Sequence, residues 1–329
     1  MRQFKHFDAK TVEEAIAILS EYENARIIAG GQDVLTLLKD KVRGPKFGLP
    51  DVVVNIKNIP ELIGVRETAD GLEIGALTIL SDIESHPTIQ EQYGVLAKAA
   101  GEVGTPQVRN VGTLGGNLCQ RPRCWYFRRA LFDKCYKKGG DFCFAVTGEN
   151  SYHCILKGEL CYVVHPSDTA PALMALNASV KIAGPDGVRT VPLDEFFIGP
   201  REDVLHENVL QPNEVLTQVQ VPTPTANTRG AFVKVKERRV LDFALVSLAA
   251  VVSGQNGTID KATLVLGSIA PTPYRATEAE KILEGGTLNE ALAQRAGEAV
   301  VMGARPMSQN AYKVDIVKGL VQQTLLSLA

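Results

Sequence analysis

All six cysteines of this 329-residue chain fall between Cys119 and Cys161, and the same window holds its only tryptophan, Trp125. Thiolates are soft ligands that suit zinc and iron–sulfur clusters, so their confinement points to a metal site ahead of scattered core packing. Six cysteines could instead form three disulfides, but that framework belongs to small secreted domains rather than to a long chain without an export signal.

Two glycine turns are the other chemical feature. Arg26-Ile27-Ile28-Ala29 reads as a short strand that runs into Gly30-Gly31-Gln32-Asp33, after which Val34, Leu37 and Leu38 mark a helix. A second turn is Gly112-Thr113-Leu114-Gly115-Gly116-Asn117. Backbone N–H groups bared by glycine at a helix start can hold a phosphate, assisted by the helix dipole. Taken alone, such a turn more often satisfies backbone geometry than binds a ligand. Neither has the G-x-G-x-x-G spacing, so a Rossmann nicotinamide site is not supported.

The elements that must position these residues follow from pattern. Thr11-Val12-Glu13-Glu14 is a capping box, and Val12, Ala15, Ile16 and Leu19 recur at helical spacing, which predicts a first helix of about ten residues. Residues 51–56 form a buried strand, with strands near 62–66 and 71–76 and helices near 78–84 and 93–102 beyond it. After the cysteine window, residues 168–176 are helical, residues 179–183 are a strand, and Pro212 leads into a strand ending at Pro222. The polar stretch 222–227 reads as a linker. Strands at 230–239, 245–253 and 261–270 followed by helices at 275–284, 288–302 and 310–328 predict a separate α+β unit.

Composition excludes several classes. At 45% hydrophobic and 22% charged the chain is neither disordered nor membrane-embedded, and a net charge of −2 offers nothing to nucleic acid. The N-terminal residues carry charges where a signal peptide needs an apolar run, and no stretch reaches the roughly 18 apolar residues of a spanning helix. The expected location is cytoplasmic; export within a partner's complex would make it periplasmic.

Three strings in order carry a family resemblance: Ala29 to Asp33, Thr105-Pro106-Gln107-Val108-Arg109-Asn110-Val111 continuing to Leu118, and Ser167-Asp168-Thr169-Ala170-Pro171-Ala172-Leu173. Phe232 to Arg239, Asp242-Phe243-Ala244 and Gly267 to Pro273 extend it. The chain resembles, over essentially its whole length, the FAD-binding subunit of the molybdenum hydroxylases, the xanthine dehydrogenase and carbon monoxide dehydrogenase family. The resemblance implies an α+β, vanillyl-oxidase-like FAD-binding fold of two α/β subdomains, residues 1–56 and 57–222, with a C-terminal flavoprotein domain at 228–329. It implies cofactor contacts at Ile28, Ala29, Gly30, Gly31, Gln32, Asp33, Thr105, Gly112, Thr113, Gly115, Gly116, Asn117, Asp168 and Lys234, the two turns holding the pyrophosphate. Lys234 would also tune the flavin, a cation stabilising its reduced anion.

In that family the second glycine motif is followed closely by the Ser-Asp motif, whereas here residues from about 119 to 165 intervene. The extra segment resembles the [4Fe-4S] loop in the flavin subunits of 4-hydroxybenzoyl-CoA reductase and bacterial aldehyde oxidoreductases. The match implies Cys124, Cys135, Cys143 and Cys161 as ligands, with Cys154 in place of Cys161 as the alternative and Cys119 as a bystander. Zinc is the competing metal, but structural zinc ligands pair two to four residues apart, and these gaps are 10, 7 and 17 residues. A mixed site with His153 or His165 is a further variant. Seven basic residues against Asp133 alone lie between Arg121 and Lys138, and Arg121, Arg123 and Arg128 are candidates for stabilising an anionic cluster.

The function implied is an electron-transfer flavoprotein subunit, working with a molybdenum-cofactor large subunit, a [2Fe-2S] small subunit and an external acceptor, in aldehyde oxidation. The alternatives are reversed electron flow, as in a hydroxybenzoyl-CoA reductase, and a flavin-free binding protein holding structural zinc.

Overall fold

The computed structural model describes residues 3–255 and 257–329. Its first sheet has three parallel strands, β1 (Lys5–Asp8), β2 (Ala25–Ile28) and β3 (Val52–Asn55), in the order β1-β3-β2. All four residues of β3 are buried, as a central parallel strand requires. Helix α1 (Val12–Glu21) keeps its predicted length because the Oγ1 of Thr11 accepts from the Glu14 N–H at 3.1 Å. Helix α2 (Val34–Lys39) follows the first glycine turn.

A second sheet of five antiparallel strands comprises β4 (Val65–Thr68), β5 (Gly71–Gly75), β6 (Ser179–Gly184), β7 (Gly187–Pro192) and β8 (Val215–Pro222), ordered β4-β5-β8-β6-β7. Helices α3 (Leu80–Ser85), α4 (Pro87–Gln92), α5 (Gly94–Gly101), α6 (Pro106–Arg109) and α7 (Leu114–Leu118) lead from β5 to the cysteine window. Within the window lies α8 (Trp125–Arg128), and beyond it α9 (Thr169–Ala175) and α10 (Leu193–Phe196).

The C-terminal part is a four-stranded antiparallel sheet, β9 (Thr228–Val235), β10 (Val246–Gln255), β11 (Thr258–Gly267) and β12 (Tyr274–Arg275), backed by α11 (Thr277–Leu283), α12 (Glu290–Val300) and α13 (Tyr312–Leu326). Strand alternation welds it to the rest. Val246, Leu248, Ala250 and Val252 enter the core beneath those helices, while Ala249 and Val265 enter the core shared with α9 and the five-stranded sheet.

The segment 119–165 packs against the rest of the chain through both of its halves. Phe127 and Cys135 join Leu37, Val42 and Phe47 in a small core of their own, and Tyr126, Phe132, Phe142 and Phe144 stack nearby. Its second half docks on the C-terminal unit: the Ile155 N–H donates to the Ile269 carbonyl at 2.9 Å, and Asn310 Nδ2 donates to the carbonyls of His153 and Cys154.

Candidate flavin site

The two glycine turns meet. A Cβ on Gly30 would stand 2.0 Å from the Val111 carbonyl oxygen, so only glycine lets the turns touch, and Gly31 adopts a φ of +76°. They open on a cavity of about 600 Å³ whose wall includes Ala29 to Asp33, Gly112, Thr113 and Gly115 to Asn117. Leu241 and Phe243 close it from the C-terminal unit, and Arg123 and Arg128 from the cysteine segment. Of the residues expected at the cofactor, Ile28, Thr105, Asp168 and Lys234 lie outside this wall.

The turns differ in what they offer. In the second, Leu114 and Gly115 N–H already donate to the carbonyls of Thr78 and Ala76, and Gly116 and Asn117 N–H to the Oγ1 and carbonyl of Thr113. In the first, the N–H groups of Gly31, Gln32 and Asp33 have no protein acceptor among the described residues. The first turn therefore supplies most of the free donors, while the second, where only the Thr113 N–H has no acceptor among the described residues, supplies mainly wall.

Asp33 is surrounded by cations. Its Oδ1 accepts from Arg123 and Arg128, the latter at 2.5 Å, and its Oδ2 accepts the Arg121 N–H at 2.9 Å. Burial pushes this carboxyl up, but Arg123, Arg128 and the Arg121 amide outweigh burial and hold it below its ordinary value. Arg121 reaches on to Glu207 at 2.5 Å, and Lys137 pairs with the other Glu207 oxygen at 2.6 Å. Arg26, lowered to about 10 mainly by burial, lies in the same field. Glu207, Arg26 and Lys137 were not singled out from sequence; Glu207 sits in an irregular segment with no motif around it.

Asp168 and Lys234 face each other instead of the cavity. The Lys234 ammonium donates to Asp168 Oδ2 at 2.6 Å and to the Glu102 carbonyl at 2.9 Å, with both side chains buried. Burial raises Asp168 to about 6 against the pull of Lys234. Asn117 is likewise committed: its Oδ1 accepts from Ser167 at 2.5 Å and Thr169 at 2.7 Å, tying the second turn to the Ser-Asp motif.

Residues 2–224 match the family model described as the FAD binding domain in molybdopterin dehydrogenase, and residues 231–328 match the CO dehydrogenase flavoprotein C-terminal domain. The chain belongs to the FAD-binding medium subunits of the molybdenum hydroxylases. It is 30% identical to the aldehyde oxidoreductase FAD-binding subunit PaoB of Escherichia coli strain K12, over 99% of this chain and 98% of that protein. The carbon monoxide dehydrogenase medium chain of Hydrogenophaga pseudoflava is 29% identical over 92% of this chain and 88% of its own length. A solved structure of carbon monoxide dehydrogenase from Hydrogenophaga pseudoflava aligns with a TM-score of 0.77 at 28% identity, covering 99% of this chain and 97% of that one.

In this medium subunit the cysteine segment forms one flank of the cavity. Among the described residues, no group of three or more His, Cys, Asp or Glu side chains converges as a single metal ion requires. The thiols nevertheless share one electrostatic neighbourhood. Cys143 acts on Cys124, Cys135, Cys154 and Cys161, and Cys124 acts on Cys161. Burial is the main cause raising Cys124 to about 12, and it raises Cys135 and Cys161 as well. Cys119, also raised to about 12, is shifted by burial alone. His153 Nε2 lies 3.4 Å from Cys124 Sγ.

The cations facing these thiols are not the arginines expected from sequence. Arg121, Arg123 and Arg128 turn to Asp33 and Glu207, while the buried Lys137 and Lys138 act on Cys135, Lys137 also on Cys161 and Lys138 also on Cys124. No described helix is long and apolar enough to cross a membrane.

Proposed function

We propose that this chain is the FAD- and [4Fe-4S]-bearing electron-transfer subunit of a molybdenum-cofactor oxidoreductase that oxidises aldehydes. Its partners in this reading are a molybdenum-cofactor large subunit, a [2Fe-2S] small subunit and an external electron acceptor. The observation that carries it is the shared wall: one cavity is bounded by the two glycine turns and by the arginines of the cysteine segment. The similarity to PaoB over nearly the whole chain supports the aldehyde.

The proposed units are residues 1–56, 57–222 with the cysteine segment at about 119–165, and 228–329. FAD and the cluster, when bound, supply the redox chemistry. Amides of Gly31, Gln32 and Asp33 would donate to the cofactor, with Ala29, Gly30, Gly112, Thr113, Gly115, Gly116 and Asn117 shaping its bed. Ile28 and Thr105 support the turns from behind, Thr105 by accepting the Val108 N–H at 3.4 Å. Lys234 and Asp168 fix the C-terminal sheet against the flavin subdomain.

Cys124, Cys135, Cys143 and Cys161 would hold the cluster. What supports the donor set is that Cys135 and Cys161 are buried and Cys124 and Cys143 half-buried, in one another's field, and a cluster spreads its thiolates farther apart than one ion does. Buried thiols stay protonated until a metal centre takes them as thiolates, so cluster assembly releases protons. The purified complex should show flavin absorbance that bleaches when an aldehyde is added without oxygen; a complex with no flavin, or with flavin that no aldehyde bleaches, would overturn the proposal.

A further inference from the structure

Asp33 is shared by two cations of the cavity wall. Arg123 and Arg128 both pair with its Oδ1 and line the cavity, which also bears Asp40, while Arg26, Arg121 and Lys137 lie outside that wall. One carboxylate oxygen cannot satisfy two guanidiniums, each with five N–H donors, so N–H groups beside the cavity are left for an anion. Asp33 cannot hold that anion itself, being a carboxylate whose oxygens are already taken by Arg121, Arg123 and Arg128.

Arg128 is largely spent on its own loop, donating through Nε to the Pro122 carbonyl at 2.7 Å and through Nη2 to the Arg121 carbonyl at 2.8 Å. Arg123 is less committed. Among the described residues its hydrogen bonds go to Asp33 and to Gln120 Oε1, and a guanidinium has five N–H donors. Its guanidinium also lies 5.3 Å from the Phe243 ring centroid, where the C-terminal unit closes the cavity.

We infer that Arg123 and Arg128, contributed by the cysteine segment, are part of the flavin site and neutralise the diphosphate of FAD, with Asp33 as the residue that orients them. The inference rests on the flavin reading above. Of the second turn's N–H groups all but that of Thr113 are engaged within the protein, so the arginines add to the few free amides of the two turns. Because Arg123 directly precedes the proposed ligand Cys124, order in the cysteine segment and affinity for FAD are linked.

The test uses the full chain freed of flavin, titrated separately with FAD and with riboflavin, which lacks the diphosphate, following flavin fluorescence. Arg123→Met should weaken FAD about tenfold or more, the scale of a lost charge-assisted hydrogen bond, Arg128→Met should weaken it less, and both should leave riboflavin within about twofold. Arg123→Lys should recover part of the loss, which separates charge from misfolding. Equal weakening of FAD and riboflavin, or unchanged FAD affinity in both methionine variants, overturns the inference. If the unsubstituted chain binds no FAD, the flavin reading itself has failed, and this inference falls with it.

Discussion

Two carboxylates of this subunit, the buried Asp168 and the half-buried Asp33, are held by cations in opposite ways. Asp168 meets one lysine, Lys234, in a closed contact between β9 and the start of α9, and burial leaves it raised to about 6. Asp33 meets three residues of the cysteine segment at the edge of a cavity, and their cations hold it below its ordinary value. A one-to-one pair sealed in protein is a staple. Two guanidiniums that share one carboxylate beside open space are a place for an anion. Both aspartates belong to motifs that imply the cofactor, and only the surroundings tell them apart.

The largest break in this comparison comes from the cysteines. Serine at Cys124, Cys135, Cys143 or Cys161 should abolish the iron content of the purified chain, while Cys119→Ser and Cys154→Ser should retain it, as measured by iron and sulfide analysis. Iron kept by Cys161→Ser and lost by Cys154→Ser would exchange those two assignments.

Next is the staple. Lys234→Met leaves a buried carboxylate without its partner and should destabilise the folded chain by about 3–5 kcal/mol in denaturant unfolding. Asp168→Leu combined with Lys234→Met should recover most of that loss, since replacing both buried charges by apolar groups is often close to neutral. A single variant that unfolds like the parent would remove the staple role.

The smallest effect is in pH. A carboxyl raised in the folded state is favoured when protonated, so Asp168 contributes stability that is present below pH 3.8 and is lost as pH rises to about 6. Asp33, lowered in the folded state, contributes stability above pH 3.8 that is lost as pH falls below it. Asp168→Asn should therefore flatten unfolding free energy measured between pH 4 and 6, and Asp33→Asn should flatten it only in more acid solution.

Much of the fold was legible where forces are local. The Thr11 capping box predicted α1 to its length, and alternation of apolar residues located β9, β10 and β11. Strands β1 and β7 were missed because Lys-His-Phe-Asp and Gly-Val-Arg-Thr-Val-Pro carry little apolar signal and become strands only by pairing with β3 and β6. Helix α4 was missed as well; it begins at Pro87, directly after α3. The turns were legible as anion-binding chemistry, but which N–H groups stay free depends on the carbonyls of Ala76 and Thr78, just after β5. Spacing alone assigns the basic run to the thiols. The Arg123 and Arg128 side chains and the Arg121 backbone N–H instead go to Asp33, about ninety residues upstream, a distance over which sequence spacing carries no contact information.

The measurement that bears most directly on the account is the visible spectrum of the full chain together with its flavin, iron and acid-labile sulfide content. About one FAD and about four irons with four sulfides per chain are expected, with a broad brown absorption beneath the flavin bands. Flavin with no iron would contradict the cluster, and a colourless protein carrying one zinc per chain would contradict both halves of the account.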